Sequence, residues 1–383
     1  MSDLFSAYCE LISSPAQLAR CQEAASVSEL LSVIKKLWQQ TALSDDQLLA
    51  ELAQLNQLVI EDDKIQLAGH WLPYRYQAKN RSIHWCLPAG HATEPFQDET
   101  IARYRQTVLV NQFITPKTAL GSLDIQAQSV RSITPAGFIF HLSRCGSTLV
   151  SGCLSELDTS CVFSESPVLT DILLDQTLDK TLQQQHLQQL IDLQASVFPA
   201  RPDVVIKWNA WDIFRWELIR AIYPQVSVIF LVRNPVEILA SHQKLAGRHM
   251  SGDPVLASHY PQLASPANDE PILGFRVRVL ESLLTAMEKH CHEINVKIVD
   301  YVQLDLNKIY ALCNCFVVAQ SGEAMLSVAR RMQANAKSLG QSFSGDSEQK
   351  RQQFNATDKT LIESRLLQLY QQLVSSALIE RKK

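Results

Sequence analysis

Apolar residues recur at helical spacing through the first 60 positions. Leu30, Ile34, Leu37 and Trp38 share one face, and Leu48, Leu52, Leu55 and Val59 share another. Ser44, followed three residues later by Gln47, has the form of a capping box that opens the second of these helices. Over 64–88 the pattern shortens into aromatic and β-branched pieces separated by breakers, which predicts short strands or irregular structure. A further helix is expected over about 99–111.

After Thr134-Pro135 the texture changes to alternating strands and helices, the pattern of an α/β fold with a parallel sheet and crossover helices. Strands are predicted over 137–142, 204–207, 226–232 and 296–299, and helices over 147–157, 182–197, 211–222, 235–246 and 272–290. Asn234 before Pro235 gives the fourth helix a cap and a favoured first residue. The glutamine-rich piece around Leu187, Leu190 and Ile191 keeps amphipathic spacing, so it reads as helix rather than as a low-complexity tract. Residues 247–271 show little periodicity and are rich in Ser, Pro, Ala and His, as in an active-site lid or a mobile linker. Thr360 and Glu363 have capping-box spacing before LLQLYQQLV, so the chain is expected to close with a helix. Two regions follow: 1–133, mainly helical and of unknown role, and 134–383, an α/β domain.

Composition narrows the classes. Of 383 residues, 46% are apolar and 19% charged, which excludes disorder and a disulfide-stapled miniprotein. Lys and Arg number 35 against 39 acidic residues, so the net charge of -4 provides no global field for a nucleic acid. Nine cysteines without a C-x-x-C pair argue against a disulfide framework and a zinc site, and favour a reducing cytoplasm. No basic, apolar leader opens the chain, and no apolar run approaches the ~18 residues of a membrane span, so no membrane association is expected.

Two segments carry chemistry. In FIFHLSRCGSTLVSGCL an apolar strand ends in Ser143-Arg144-Cys145-Gly146-Ser147-Thr148 and passes at once into a helix. Backbone N–H groups, a helix N-terminus, two hydroxyls and a permanent cation then converge as they do in phosphate-type anion sites. The alternative is an ordinary strand-to-helix turn in which Ser147 only caps the helix. The G-x-x-x-x-G-K-[ST] loop is absent, so hydrolysis of ATP or GTP is not supported. In VSVIFLVRNPVEILASHQK, Arg233 ends another strand and Ser241 lies two turns into the next helix. Both could face a ligand at the carboxyl edge of the sheet, or could stand on the surface without contact.

Together these segments resemble the sulfotransferase family, whose members use 3'-phosphoadenosine 5'-phosphosulfate (PAPS). The resemblance implies a P-loop NTPase-like α/β fold for 134–383. It implies that Arg144, Cys145, Gly146, Ser147 and Thr148 bind the 5'-phosphosulfate, and that Arg233 and Ser241, in an R-x7-S spacing, bind the 3'-phosphate. Tyr301 and Leu304 match a further strand-and-helix motif of the family. The chain departs from the pattern at Leu149, where a tryptophan often stacks on adenine; Trp208 or Trp211 is the substitute considered. It departs also at Cys145, which replaces a common serine and is either a small buried residue or a thiol of lowered pKa. The family's basic C-terminal motif is matched only loosely, by Lys337, Gly340, Gly345 and Lys350.

The same resemblance implies roles in sulfuryl transfer, where alignment and charge stabilisation do most of the work. Arg144 would stabilise the leaving phosphate and Lys207 would supply a second cation near the reacting group. Glu165 stands where some members carry a catalytic glutamate, and Asn209 occupies the position of the cytosolic subgroup's histidine, where it cannot be a base. Glu165 could equally cap a helix, Lys207 could point into solvent, and His242 is a reserve base expected to turn towards the surface. His290-Cys291-His292 lacks the spacing of helical metal ligands, and no metal is expected. The acceptor is expected to be a small molecule with a hydroxyl or amine, reached under 247–271. An ATP-dependent small-molecule kinase and a non-catalytic nucleotide-binding module are the competing readings. Arg233→Ala is expected to weaken donor binding far more than it lowers stability.

Overall fold

Alternation along two apolar strands sets up two layers of core. Even-numbered Phe138, Phe140, Val228 and Phe230 face one way, and odd-numbered Ile139, Ile229 and Leu231 the other, all of them buried. Strands apolar on both faces belong inside a parallel sheet covered by helices on both sides. The computed structural model has that arrangement; it describes residues 3–61, 63–266, 269–335, 338–342, 350 and 352–379.

The chain divides into two units, Met1–Ile133 with Ser166–Pro202, and Thr134–Glu165 with Asp203–Lys383. The first unit opens with helices α1 (Asp3–Ser13), α2 (Pro15–Gln22), α3 (Val27–Leu37) and α4 (Asp45–Leu55). The box at α4 is formed as its sequence requires. Ser44 Oγ accepts from the Gln47 N–H at 3.1 Å, and Gln47 Oε1 accepts from the Ser44 N–H at 2.9 Å. An antiparallel meander, in order β1 (Leu72–Gln77), β2 (Ser82–Cys86) and β3 (Lys117–Ala119), follows. Helices α5 (Gln97–Thr107) and α6 (Val110–Phe113) lie between β2 and β3, and α7 (Leu123–Gln128) comes after them.

Residues 166–202, which the sequence pattern assigns to the sheet domain, group with this first unit. Helices α9 (Pro167–Leu174) and α10 (Lys180–Ser196) are bound to β1 by polar contacts. Asp171 accepts from the Tyr76 N–H at 3.1 Å, the Tyr76 hydroxyl donates to Asp175 at 2.6 Å, and Gln194 Nε2 donates to the Pro73 carbonyl at 2.9 Å. A buried amide or carboxylate is stable only with such partners.

The second unit holds strands β4 (Gly137–His141), β5 (Ser160–Ser164), β6 (Asp203–Lys207), β7 (Ser227–Val232) and β8 (Val296–Asp300), ordered β5-β6-β4-β7-β8. All neighbours are parallel. The first strand lies in the middle and the chain leaves it to either side, which opens a crevice at its carboxyl end, where open α/β sheets bind ligands. One face carries an aromatic layer in which Phe140 stacks on Trp208 at 6.1 Å and Trp216 meets Phe230 at 5.3 Å. The other buries Ile139, Cys145, Val150, Leu154, Ile229, Leu312, Phe316 and Val328. This layer takes residues from α8 (Ser147–Ser155), α15 (Leu306–Cys315) and α16 (Gly322–Gln333).

The remaining helices of this unit are α11 (Trp216–Ile222), α12 (Pro235–Lys244), α13 (Pro254–His259), α14 (Ile272–His290) and α17 (Ala356–Ile379). The helix expected over 211–222 begins instead as a 3-10 turn, Ala210–Arg215. Residues expected to form a lid or linker fold into α13 and two short turns, anchored by buried Met250, Leu256, Tyr260 and Leu263. Asp253 caps α13, accepting from the Val255 N–H at 2.8 Å. The last helix starts before Thr360: Asn355 caps it, and the Thr360 hydroxyl donates back to the Ala356 carbonyl at 2.9 Å. Among the described residues, no helix is long and apolar enough to cross a membrane.

Candidate functional site

Beyond His141 the chain turns through left-handed backbone at Ser143 (φ +61°), Arg144 (φ +53°) and Gly146 (φ +85°), and α8 starts at the next residue. Non-glycine residues in this conformation cost about 1–3 kcal/mol each, and such strain is concentrated at functional sites. Gly146 is required twice over. Besides its φ, a Cβ there would lie 2.6 Å from Leu304 Cδ1 and 2.9 Å from Tyr301 Cδ2. Ser147 and Thr148 sit buried in the first turn of α8. Cys145 is buried in the apolar layer, and burial pushes its thiol up to about 11, so it is a neutral core residue and not an activated thiol.

Lys207 ends β6 with its side chain fully buried, so it is not a solvent lysine. Its Nζ lies 2.7 Å from Glu165 Oε1 and donates to Ser164 Oγ at 3.4 Å. Glu165 itself has φ +54°, and its N–H donates to the Lys207 carbonyl at 2.7 Å. It caps no helix, because the residue preceding α9 is Ser166. The Glu165 side chain is 21% exposed. Burial alone would raise its pKa, but Lys207 and His141 outweigh that and hold the carboxylate ionised, well below the usual range.

His141, which sequence reasoning did not single out, completes this group. The Ser143 N–H donates to His141 Nδ1 at 2.9 Å, which leaves the ring proton on Nε2, 3.3 Å from Glu165 Oε1. Burial lowers the pKa of the ring, so it is neutral. Its only signal in the sequence is a polar residue closing an otherwise apolar strand.

Arg144 Nη2 donates to the Leu245 carbonyl at 2.5 Å, tying the turn to the end of α12. The Arg144 carbonyl in turn accepts from Arg233 Nη1 at 3.2 Å. Arg233 is buried, donates through Nε to Glu237 Oε2 at 2.7 Å and lies 3.9 Å over the Tyr301 ring. The Ser241 hydroxyl donates to the Glu237 carbonyl at 3.0 Å. The segments around Gly146, Arg233 and Tyr301 thus meet at the carboxyl ends of β4, β7 and β8. Sequence reasoning did not foresee Glu237 as the counter-charge to Arg233, although the i,i+4 spacing is there to be read.

Other expectations change. His242 is buried, not on the surface, because α12 is enclosed along its length; its Nδ1 accepts from the Gly247 N–H at 3.1 Å. Trp208 belongs to the aromatic layer and Trp211 is buried against His249 at 5.7 Å, so neither presents an open face to an adenine. His290 stacks on Trp216 at 4.9 Å and pairs with Glu293 at 2.6 Å. Among the described residues, no group of three His, Cys, Asp or Glu side chains is placed to hold a metal. Gly340 lies in the strand Ser338–Ser342 and Lys350 is buried, while Lys337 and Gly345 lie outside the described residues.

In chemical terms the site joins a left-handed strand-to-helix turn, a buried ammonium, an ionised carboxylate and a neutral imidazole. No protein-family model and no curated protein matches this chain. Among solved structures, a sulfotransferase from Alicyclobacillus acidocaldarius is similar at 12% identity and a TM-score of 0.39, covering 63% of this chain and 95% of that one. A sulfotransferase from Mycobacterium avium covers 84% and 95% at 11% identity and a TM-score of 0.42. One from Mycobacterium tuberculosis covers 80% and 93% at 15% identity and a TM-score of 0.36.

Proposed function

We propose that this chain is a sulfotransferase that moves the sulfuryl group of PAPS to a hydroxyl or amine of a small acceptor. The observation that carries the reading is the convergence of the Ser143–Thr148 turn, the Lys207–Glu165 pair and the Arg233–Tyr301 stack at one edge of the sheet. The donor would supply an activated sulfuryl group on a phosphate leaving group. The turn and the first turn of α8 suit its 5' end: they offer backbone N–H groups, two hydroxyls and Arg144. The 3'-phosphate is a more demanding fit, since the charge of Arg233 is already met by Glu237 and binding would have to draw on the guanidinium edge that now bonds Arg144.

Lys207 and Glu165 divide the remaining work. While paired, Glu165 is a weak base, because Lys207 holds it ionised. An anionic group near Lys207 would compete for the ammonium and return basicity to Glu165, which could then accept the proton of the acceptor. The His141 ring lies against the same carboxylate, with Nε2 3.3 Å from Oε1. Nine cysteines, an odd number with no C-x-x-C pair, suit a reducing compartment, which is where we place the protein.

The test is calorimetric titration with adenosine 3',5'-bisphosphate, with ADP and ATP plus Mg²⁺ as comparators. Selective binding of the bisphosphate supports the reading and justifies an acceptor screen with labelled PAPS. Binding of ATP in its place would favour phosphoryl transfer, and binding of the bisphosphate without turnover of any acceptor would favour a sensing module.

A further inference from the structure

Just beyond the carboxyl end of β6, three buried side chains hold polar atoms that have no hydrogen-bond partner among the described residues: Asp212 Oδ1, both ring nitrogens of His249 and Trp211 Nε1. The residues are 1%, 3% and 6% exposed. Leaving such groups unmatched costs about 1–3 kcal/mol each, so three together in one region ask for an explanation.

The local structure holds them in place. Asp212 is the third residue of a turn opened by Asn209, and its Oδ2 accepts from the Asn209 N–H at 2.8 Å and Nδ2 at 3.1 Å. That cap consumes one oxygen and leaves Oδ1 aimed elsewhere. Trp211 precedes it on the same turn, and the Trp211 and His249 rings are 5.7 Å apart. His249 is brought in by the 3-10 turn Arg248–Met250, whose Met250 is anchored in the core. Asn209, which holds Asp212, stands two residues beyond Lys207 at the end of β6, and the His249 ring packs edge-on against His242 at 5.6 Å, so the three side chains lie at the same carboxyl edge of the sheet as the Lys207–Glu165 pair.

We infer that Asp212, His249 and Trp211 form the acceptor-binding subsite, and that it takes a polyhydroxylated acceptor of sugar type in preference to a phenol or an apolar alcohol. The inference rests on the proposed sulfotransferase reading for the word acceptor, but its chemistry stands on these residues. A carboxyl oxygen accepts from a hydroxyl. A neutral imidazole offers one donor and one acceptor, and an indole N–H donates to a hydroxyl oxygen. An acceptor with a single hydroxyl could serve Glu165 but would leave these groups unmatched, and sites built to bond a hydroxyl discriminate strongly against analogues that lack it.

The experiment is saturation-transfer NMR with a panel of monosaccharides and linear polyols, matched against cyclohexanol, phenol and a simple amino alcohol. It uses the full chain and its variants Asp212→Asn, His249→Phe and Trp211→Phe. Asp212→Asn keeps an oxygen for the cap while turning the unmatched acceptor into a donor, and Trp211→Phe keeps an aromatic ring while deleting the N–H. Sugars or polyols should bind the wild type, with affinity lower by roughly tenfold or more in Asp212→Asn and in Trp211→Phe, while affinity for adenosine 3',5'-bisphosphate stays the same and the far-UV circular dichroism of each variant remains that of the wild type. Tighter binding of phenol or cyclohexanol, preference for the amino alcohol, unchanged binding in all variants, or no polyol binding at all overturns the inference. Polyol binding in a protein that ignores the bisphosphate would leave the subsite standing and remove the sulfotransferase reading. Bisphosphate binding without polyol binding would do the reverse.

Discussion

The guanidinium of Arg233 lies 3.9 Å above the ring of Tyr301, and the same ring closes the space over Gly146. Tyr301 thereby joins two segments more than 80 residues apart in sequence, the turn after β4 and the start of α12. It does so through shape on one side and a cation–π contact on the other, a contact worth about 0.5–2 kcal/mol depending on its desolvation.

Arg233→Ala should unfold at a clearly lower urea concentration than the wild type. The change strands the buried Glu237 carboxylate, and breaking a buried pair from one side costs about 3–5 kcal/mol. Adding Glu237→Gln should recover part of the loss. The sequence alone predicts that donor binding suffers far more than stability; the buried ion pair makes the stability loss large as well. Equal urea midpoints for Arg233→Ala and wild type would contradict the buried pair.

Gly146→Ala combines a left-handed backbone with a collision against Leu304, and should cost about 2–4 kcal/mol of stability. Leu304→Ala in the same chain should relieve the collision but not the backbone term. Under the proposed function, affinity for adenosine 3',5'-bisphosphate should fall at least tenfold in Gly146→Ala. An unaltered melting curve in the single variant would rule out the close approach.

Glu165→Gln should lower turnover by about 10²–10⁴-fold if Glu165 is the base, with bisphosphate affinity unchanged or tighter because Lys207 loses its partner. A pH signature goes with it. The folded-state pKa of Glu165 is depressed, so the stability it contributes is complete above the ordinary carboxylate range and is lost as pH falls below it. Wild type should therefore lose more stability than Glu165→Gln between pH 6 and pH 3, read by urea melts. A steeper acid loss in the variant would be the wrong sign.

Asp212 behaves in the opposite sense. Burial pushes its pKa up to about 7, so the folded protein keeps a proton that the unfolded chain releases near pH 4. Its contribution falls as pH rises through the window from about 4 to 7, by at most about 1.4 kcal/mol per pH unit. Asp212→Asn should flatten that part of the stability profile. Identical slopes in the two proteins would show that the carboxyl is not desolvated.

Strands β4, β6 and β7 were legible because they are buried along nearly their whole length and read as apolar runs, and β8 because Val296, Ile298 and Val299 keep its pattern around an exposed Lys297. Strand β5 was not legible. Its five residues, Ser160–Ser164, are all buried, but serine at both ends leaves an apolar run of only Cys161, Val162 and Phe163. The turn at Arg144, Gly146 and Ser147 could be read because glycine and hydroxyl residues between strand and helix constrain the backbone locally. His141 and His249 could not be read, since each acquires its surroundings from elements distant in sequence, whereas Glu237 stands four residues from its partner Arg233 and could have been. His242 shows the limit of helical-wheel reasoning: a rotation of about 100° per residue decides exposure only when one face of the helix meets solvent, and α12 has none along 235–242.

The excursion of residues 166–202 between two adjacent parallel strands has a consequence for synthesis. As the chain emerges, Met1–Ile133 cannot complete its unit, because helices α9 and α10 have yet to be made, while β4 and β5 are already waiting for β6 to fill the gap between them. Neither unit can therefore finish folding before the ribosome has passed Pro202. Domains ordinarily fold one after another from the N-terminus; here the two must be completed as interleaved pieces, and a chain cut at Thr134 would carry two helices whose own partners had been removed.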